Sequence, residues 1–345
     1  MKKTLSMLLA FVMLLGTVGC QVSVDKPKST TESETTTAPV DQASPTADFD
    51  YFVGSDGGIT IKKYKGNAEH VVIPETIDGK SVTVIGESAF AEQAGMYSVT
   101  LPDTVKVISR AAFLECLYLE SIVWSGNLET VDVKAFYACT NLAFSALPAS
   151  LKTIGAEAFS YCNLLTSLTI PAGVTVIGPG AFESSGLASV VLPNGLKTIE
   201  YNAFAWTSLS AVAIPPSVTA IGSKAFAYCH SLSSVTLHEG LERIGYEAFS
   251  NTAIEQIVLP STLTDITEEA FYGCGALESV TFLGDAPASY LSTEWVNGRM
   301  PSYTVFCKPL AEGFTVPYWS GYRTAYVGEE ATPLPTLNKS VKNGQ

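Results

Sequence analysis

The sequence predicts a repeat solenoid, mainly β with short turns or helical pieces, of about ten coils of 22–23 residues with atypical ends. Three observations predict it. The dipeptide Ala-Phe recurs at Phe90, Phe113, Phe136, Phe159, Phe182, Phe204, Phe226, Phe249 and Phe271, always 22 or 23 residues apart. Most units also carry a short β-rich stretch that ends at a proline, and most carry an Ile-Gly bend ahead of the Ala-Phe pair. A unit of this size has no second layer of its own, so its apolar side chains are buried only when the next unit stacks on it.

Each element has a local cause. Val99 to Leu101, Leu168 to Ile170, Val190 to Leu192, Val235 to Leu237 and Ile257 to Leu259 alternate with period two, as strands that pair in parallel with the next coil should. The prolines that follow (Pro102, Pro148, Pro171, Pro193, Pro215, Pro260) lack an N–H and end the strand. Gly86, Gly155, Gly178, Gly222 and Gly245 then permit a second bend, after which Phe packs inward behind a small Ala. Cys116, Cys139, Cys162, Cys229 and Cys274 each stand three residues after a repeat Phe, where other units have Ser185, Thr207 or Thr252. A side chain able to bond the backbone of a tight turn suits that place. In-register Cβ vectors run parallel, which favours buried free thiols over a disulfide network; whether Cys274 pairs with Cys307 stays open.

The ends divide the chain further. Lys2 and Lys3 precede an apolar run from Leu5 to Leu15, too short to span a bilayer, so residues 1–19 read as a signal peptide. Leu15-Gly16-Thr17-Val18-Gly19-Cys20 resembles the bacterial lipobox, which implies a diacylated Cys20 at the mature N-terminus. An ordinary secretory signal with an incidental cysteine is the alternative. Residues 20–48 hold ten Ser or Thr after Cys20 and no aromatic residue, the composition of a disordered tether. Residues 49–80 are expected to form an N-terminal cap, 81–284 the solenoid, 285–330 an aromatic-rich C-terminal cap and 331–345 a flexible tail.

The frame C-x-x-L-x-x-V-x-I-P-x-x-V-x-x-I-G-x-x-A-F, read over residues 50 to about 330, resembles the BspA-like leucine-rich-repeat family of bacterial surface proteins. Ile73 to Phe90 and the Trp-Ser-Gly-Tyr segment at 319–322 are similar to that family's ends. The resemblance implies a secreted or cell-surface protein that binds other macromolecules, in some members host matrix or neighbouring cells.

Chemistry is sparse. The formal charge of −13 becomes −15 when Lys2 and Lys3 leave, which disfavours nucleic acid as a partner. The three histidines, His70, His230 and His238, stand in no zinc-protease, nucleophile-elbow or phosphate-loop motif, so no enzyme, metal or cofactor is expected. Cys229 beside His230 is a repeat-position residue rather than a thiol–base pair.

A binding face is expected instead on the outward strand positions Ser98, Thr100, Ser121, Val123, Thr169, Ser189, Val191, Ser234, Thr236, Gln256, Val258, Ser279 and Thr281, with Ala211 and Ala213 among them. It forms a broad uncharged sheet dotted with hydroxyls, suited to an extended protein or glycan, although β-propensity alone also enriches Thr and Val there. Lys106, Lys152, Lys197, Glu157, Glu247 and Glu269 read as solvated coil edges.

The expected partner is a protein or glycan on a host or neighbouring cell, with the membrane reached through the N-terminal lipid. A cell-envelope scaffold is one alternative. The other is an accessory lipoprotein that captures glycans on Trp124, Trp206, Trp295 or Trp319, of which Trp124 and Trp206 are expected to pack or cap locally.

Overall fold

The computed structural model describes residues 42–267, 269–287, 304–314, 318–319 and 322–327, and no side chain from 315 to 323. The expected signal segment, Cys20, most of the tether, Trp295, the Trp319 side chain and the tail lie outside them.

Each coil begins with a two-residue strand: Val107–Ile108, Thr130–Val131, Thr153–Ile154, Val176–Ile177, Thr198–Ile199, Ala220–Ile221, Arg243–Ile244 and Asp265–Ile266. Ile85, Ile108, Val131, Ile154, Ile177, Ile199, Ile221, Ile244 and Ile266 stand in register, one per coil, and all are buried. With the N-terminal strands they make a twelve-stranded sheet, so about eleven turns stack and the expected solenoid is present. The described residues contain almost no helix beyond the 3-10 turn Thr46–Asp48.

Next comes a ridge of tight turns. Ala112 N–H bonds the Ser109 carbonyl at 3.2 Å and Cys116 N–H bonds that of Phe113 at 3.3 Å, while Phe113 N–H reaches across to Ala135 of the next coil at 2.8 Å. The turns require a left-handed backbone two residues before and two residues after each Phe. Ala111, Lys134, Glu157 and Lys224 take the first place, and Glu115, Tyr161, Trp206 and Tyr228 the second.

The repeat glycines do something other than bend. Gly86, Gly155 and Gly245 do not have positive φ; they lie where the neighbouring coil's backbone comes closest. A Cβ on Gly155 would sit 2.5 Å from the Val133 amide nitrogen, and one on Gly245 would sit 2.6 Å from that of Ser223.

Behind the ridge the nine phenylalanines form one column. All are among the largest side chains that are fully buried, and successive rings stack with centroids 4.9–5.6 Å apart. Each ring contributes about 1.5–3 kcal/mol by leaving water, and each stacked pair adds about 0.5–1.5 kcal/mol.

The chain then runs through the three-residue strands to a turn in which the amide three residues beyond the proline bonds the proline carbonyl, as Val105 does to Pro102 at 3.0 Å. These strands pair in parallel but not as one broad sheet. They form separate groups: His70–Val72 with Ser98–Thr100 and Ser121–Val123; Ser167–Thr169 with Ser189–Val191; Ala211–Ala213 with Ser234–Thr236; and a five-stranded group beginning at Gln256–Leu259.

The first break has a packing cause. Trp124 fills the inward place that Leu101 and Ile170 hold in other coils, and the following coil offers Phe144-Ser145 where its neighbour has Ser167-Leu168. Phe144 is half-buried and its ring lies 5.3 Å from Trp124 and 5.4 Å from Phe159, while Ser145 is exposed. Turning Phe144 toward the core leaves that coil only an Ala146–Thr169 bridge.

At the N-terminal end, Phe49–Val53 and Ile59–Tyr64 form an antiparallel hairpin that closes the long sheet. Phe49 and Tyr64 cover the column: Tyr64 stacks on Phe90 at 5.2 Å. Asp78 and Gly79, both left-handed, close a second hairpin, as an Asp-Gly pair favours. Ser44 is buried and its N–H bonds the Val72 carbonyl at 2.8 Å, so ordered contact reaches back before the cap. At the other end, Thr304–Cys307 and Tyr322–Tyr326 extend the short-strand side in parallel.

Candidate interaction surfaces

The cysteine column is structural. Each Sγ donates to the carbonyl of the Phe one coil earlier: Cys116 to Phe90 at 3.0 Å, Cys139 to Phe113 at 3.0 Å, Cys162 to Phe136 at 3.3 Å, Cys229 to Phe204 at 3.1 Å and Cys274 to Phe249 at 3.0 Å. Thr207 and Thr252 instead bond the Phe carbonyl of their own coil. Cys274 and Cys307 are both free and buried.

Burial pushes the thiols of Cys139, Cys229, Cys274 and Cys307 upward, and that of Cys162 to about 12. Such thiols are poor nucleophiles. His230 does not face Cys229: its ring is exposed with Nδ1 3.1 Å from the Asn251 carbonyl, while the thiol points inward. Among the described residues no group of three or more His, Cys, Asp or Glu is placed to hold a metal.

The outward strand positions alternate with buried ones, as Ser167-Leu168-Thr169 and Gln256-Ile257-Val258 show. Ser121, Val123, Thr169, Ser189, Val191, Ser234, Thr236, Gln256 and Val258 are exposed; Ser98, Thr100, Ser279 and Thr281 are half-buried. Val191, Val123 and Val258 are respectively 61%, 58% and 50% exposed, so apolar groups share this face with the hydroxyls.

The edge charges are partnered across coils. Lys134 meets Glu157 at 3.2 Å, Lys152 meets Glu129 at 2.8 Å, and Lys224 meets the mostly buried Glu247 at 3.6 Å. The Tyr246 hydroxyl donates to Glu269 at 2.7 Å.

Two features escaped sequence reasoning. Cavities lie on the outer face of the long sheet, where the glycine column leaves side chains out. One of about 510 Å³ is lined by Phe52, Lys62, Glu87, Arg110 and Asp132 among others, and another of about 180 Å³ by Gly222, Gly245, Arg243 and Asp265 among others. The second feature is aromatic. Trp124 does pack locally, edge-on to Phe136 at 5.4 Å, but Trp206 is 51% exposed and stacks on Tyr228 of the next coil at 4.0 Å. Nothing in the repeat pattern marks that place, which also holds Ser184, Asn251 and Gly273 in other coils.

Comparison with known proteins agrees with this geometry. A family model described as BspA type leucine rich repeat region matches in six copies over residues 63–187 and 152–278. The structure is similar to a leucine-rich repeat protein from Bacteroides ovatus, with 28% identity, a TM-score of 0.65 and coverage of 75% of this chain and 70% of that one. It is also similar in fold to a leucine rich cell surface protein from Faecalibacterium prausnitzii, with 24% identity, a TM-score of 0.54 and coverage of 84% and 95%. No curated protein matches the chain.

Proposed function

Given that the chain belongs to the BspA-type leucine-rich-repeat family, we propose that it is an exported, non-enzymatic surface protein whose short-strand face binds a macromolecular partner, a protein or glycan on a host or neighbouring cell. Acylated Cys20 would hold it to the membrane, since two acyl chains meet the requirement for stable attachment, and the Ser/Thr-rich tether would lift the repeats from the surface.

The observation that carries this reading is the exposure of Val123, Val191 and Val258, each three coils from the next, among outward Ser and Thr side chains. The fold gains nothing from leaving these apolar groups in water, whereas an extended partner lying along the coils would bury them.

The test is retention of the protein on immobilised extracellular-matrix glycoproteins and on cell-wall glycans. Retention that is lost in a Val123→Glu, Val191→Glu, Val258→Glu variant of unchanged melting temperature supports the reading. Uniform failure to bind, or binding indifferent to the three changes, counts against it.

A further inference from the structure

Tyr161, Ser184 and Trp206 occupy the same ridge position on three successive coils, two residues after Phe159, Phe182 and Phe204. Their backbones are in register: Tyr161 N–H bonds the Glu183 carbonyl and Ser184 N–H that of Ala205, each at 2.9 Å. All three are left-handed, with φ of 60°, 56° and 61°. Tyr161 is 43% exposed and Trp206 51%.

The Trp206 ring lies parallel to that of Tyr228 on the next coil, with an interplanar angle of 3°. Its ring normal therefore runs along the stack, and the face not covered by Tyr228 looks toward the coil of Ser184. A serine is too small to cover that face. Beyond it stands Tyr161, two coil steps away, about 10 Å at the spacing of stacked strands, its ring set at 66° to that of Tyr137 with centroids 5.4 Å apart.

We infer that Tyr161, Ser184 and Trp206 form a slot for one pyranose ring of an uncharged glycan. Contact with the Trp206 face takes about 3.5–4.0 Å. The remainder of the gap suits a puckered six-membered ring better than a flat one. The apolar C–H face of the sugar lies against Trp206, and the Ser184 hydroxyl, with Asn163 and Ser208 each two residues beyond Tyr161 and Trp206 on the flanking coils, meets its hydroxyls. The slot walls carry no cation, and the formal charge of −13 opposes an anionic polymer. A gap one residue wide also suits a sugar unit better than a protein surface. The inference makes the glycan form of the proposed partner specific, and it rests on the ridge rather than the strand face, so either can fail without the other.

The experiment is an isothermal calorimetric titration of the full chain with cellotetraose, xylotetraose, mannotetraose and chitotetraose. At least one is expected to give saturable binding, weakened tenfold or more in Trp206→Ala and in Ser184→Tyr, and retained in Trp206→Phe and in Val191→Glu. Ser184→Tyr fills the slot without asking for a new backbone, because Tyr161 and Tyr228 already hold this ridge position with left-handed φ. Silence with all four sugars overturns the inference. So does binding heat that survives Trp206→Ala or Ser184→Tyr in variants whose melting temperature matches the parent.

Discussion

The thiol of Cys162 donates to the carbonyl of Phe136 one coil earlier at 3.3 Å, and the same step is repeated along most of the solenoid. The bond ties the cysteine position to the phenylalanine column of its neighbour. Because burial raises the thiol, to about 12 at Cys162, the protonated form belongs to the folded state. A thiol in the unfolded chain ionises near pH 8.5. Its contribution is therefore complete below that pH and is lost as pH rises through the folded value, at up to about 1.4 kcal/mol per pH unit for each of Cys139, Cys162, Cys229 and Cys274. Denaturant midpoints measured from pH 7 to pH 11 should fall above pH 8.5, and iodoacetamide should label Cys116, Cys139, Cys162, Cys229 and Cys274 only in proportion to unfolding. Fast labelling of native protein at any of these five would contradict the buried ladder.

The phenylalanine column should respond to truncation most strongly at its middle. Phe182 has stacked neighbours on both sides, Phe159 at 5.6 Å and Phe204 at 5.4 Å. Phe182→Ala is expected to cost about 3–5 kcal/mol, read from the urea midpoint with an unchanged slope.

Much of this architecture is legible in the sequence because each coil restates the same inward demands: Phe90 to Phe271 for the column, Ile108 to Ile266 for the long sheet. The identity of the unbroken sheet is not legible. A two-residue strand such as Val107–Ile108 shows no alternation, while the alternating Ser-x-Thr strands that advertise themselves are the ones interrupted at Phe144. The role of Gly245 is hidden for a different reason: closeness to Ser223 depends on the neighbouring coil, not on local backbone preference. Trp206 is legible only as one of four candidate glycan platforms with local packing expected, and its exposure is hidden because its ridge position tolerates any side chain that points outward.

Those two backbone effects predict opposite outcomes for small changes. Gly245→Ala sets a Cβ 2.6 Å from a backbone nitrogen and should cost about 1–3 kcal/mol. Ala111→Gly relieves a left-handed alanine at φ 52°, a relief of about 1–2 kcal/mol set against about 0.5–1 kcal/mol of added chain entropy, so it should be neutral or stabilising. Gly195→Ala, whose nearest contact would be 3.6 Å, serves as the control and should change little. Thermal denaturation of the three variants side by side checks the ordering.

The Trp124–Phe144 defect should behave as a coupled unit rather than as independent residues. Phe144→Ala removes the ring that fills the space beside Trp124 and Phe159, and should cost about 2–4 kcal/mol through the cavity it leaves. Ser145→Leu alone adds a side chain to a core place that Phe144 already fills, and should cost about 1–3 kcal/mol. Combining Phe144→Ser with Ser145→Leu restores the Ser-Leu pattern of residues 167–168, so the double change should cost clearly less than Phe144→Ala and Ser145→Leu taken together. Amide exchange supplies the second readout: in the double variant the backbone of residues 144–146 should gain protection as the missing short strand forms between Ser121–Val123 and Ser167–Thr169. Additive losses with no new protection would mean that Phe144 is not what interrupts the sheet.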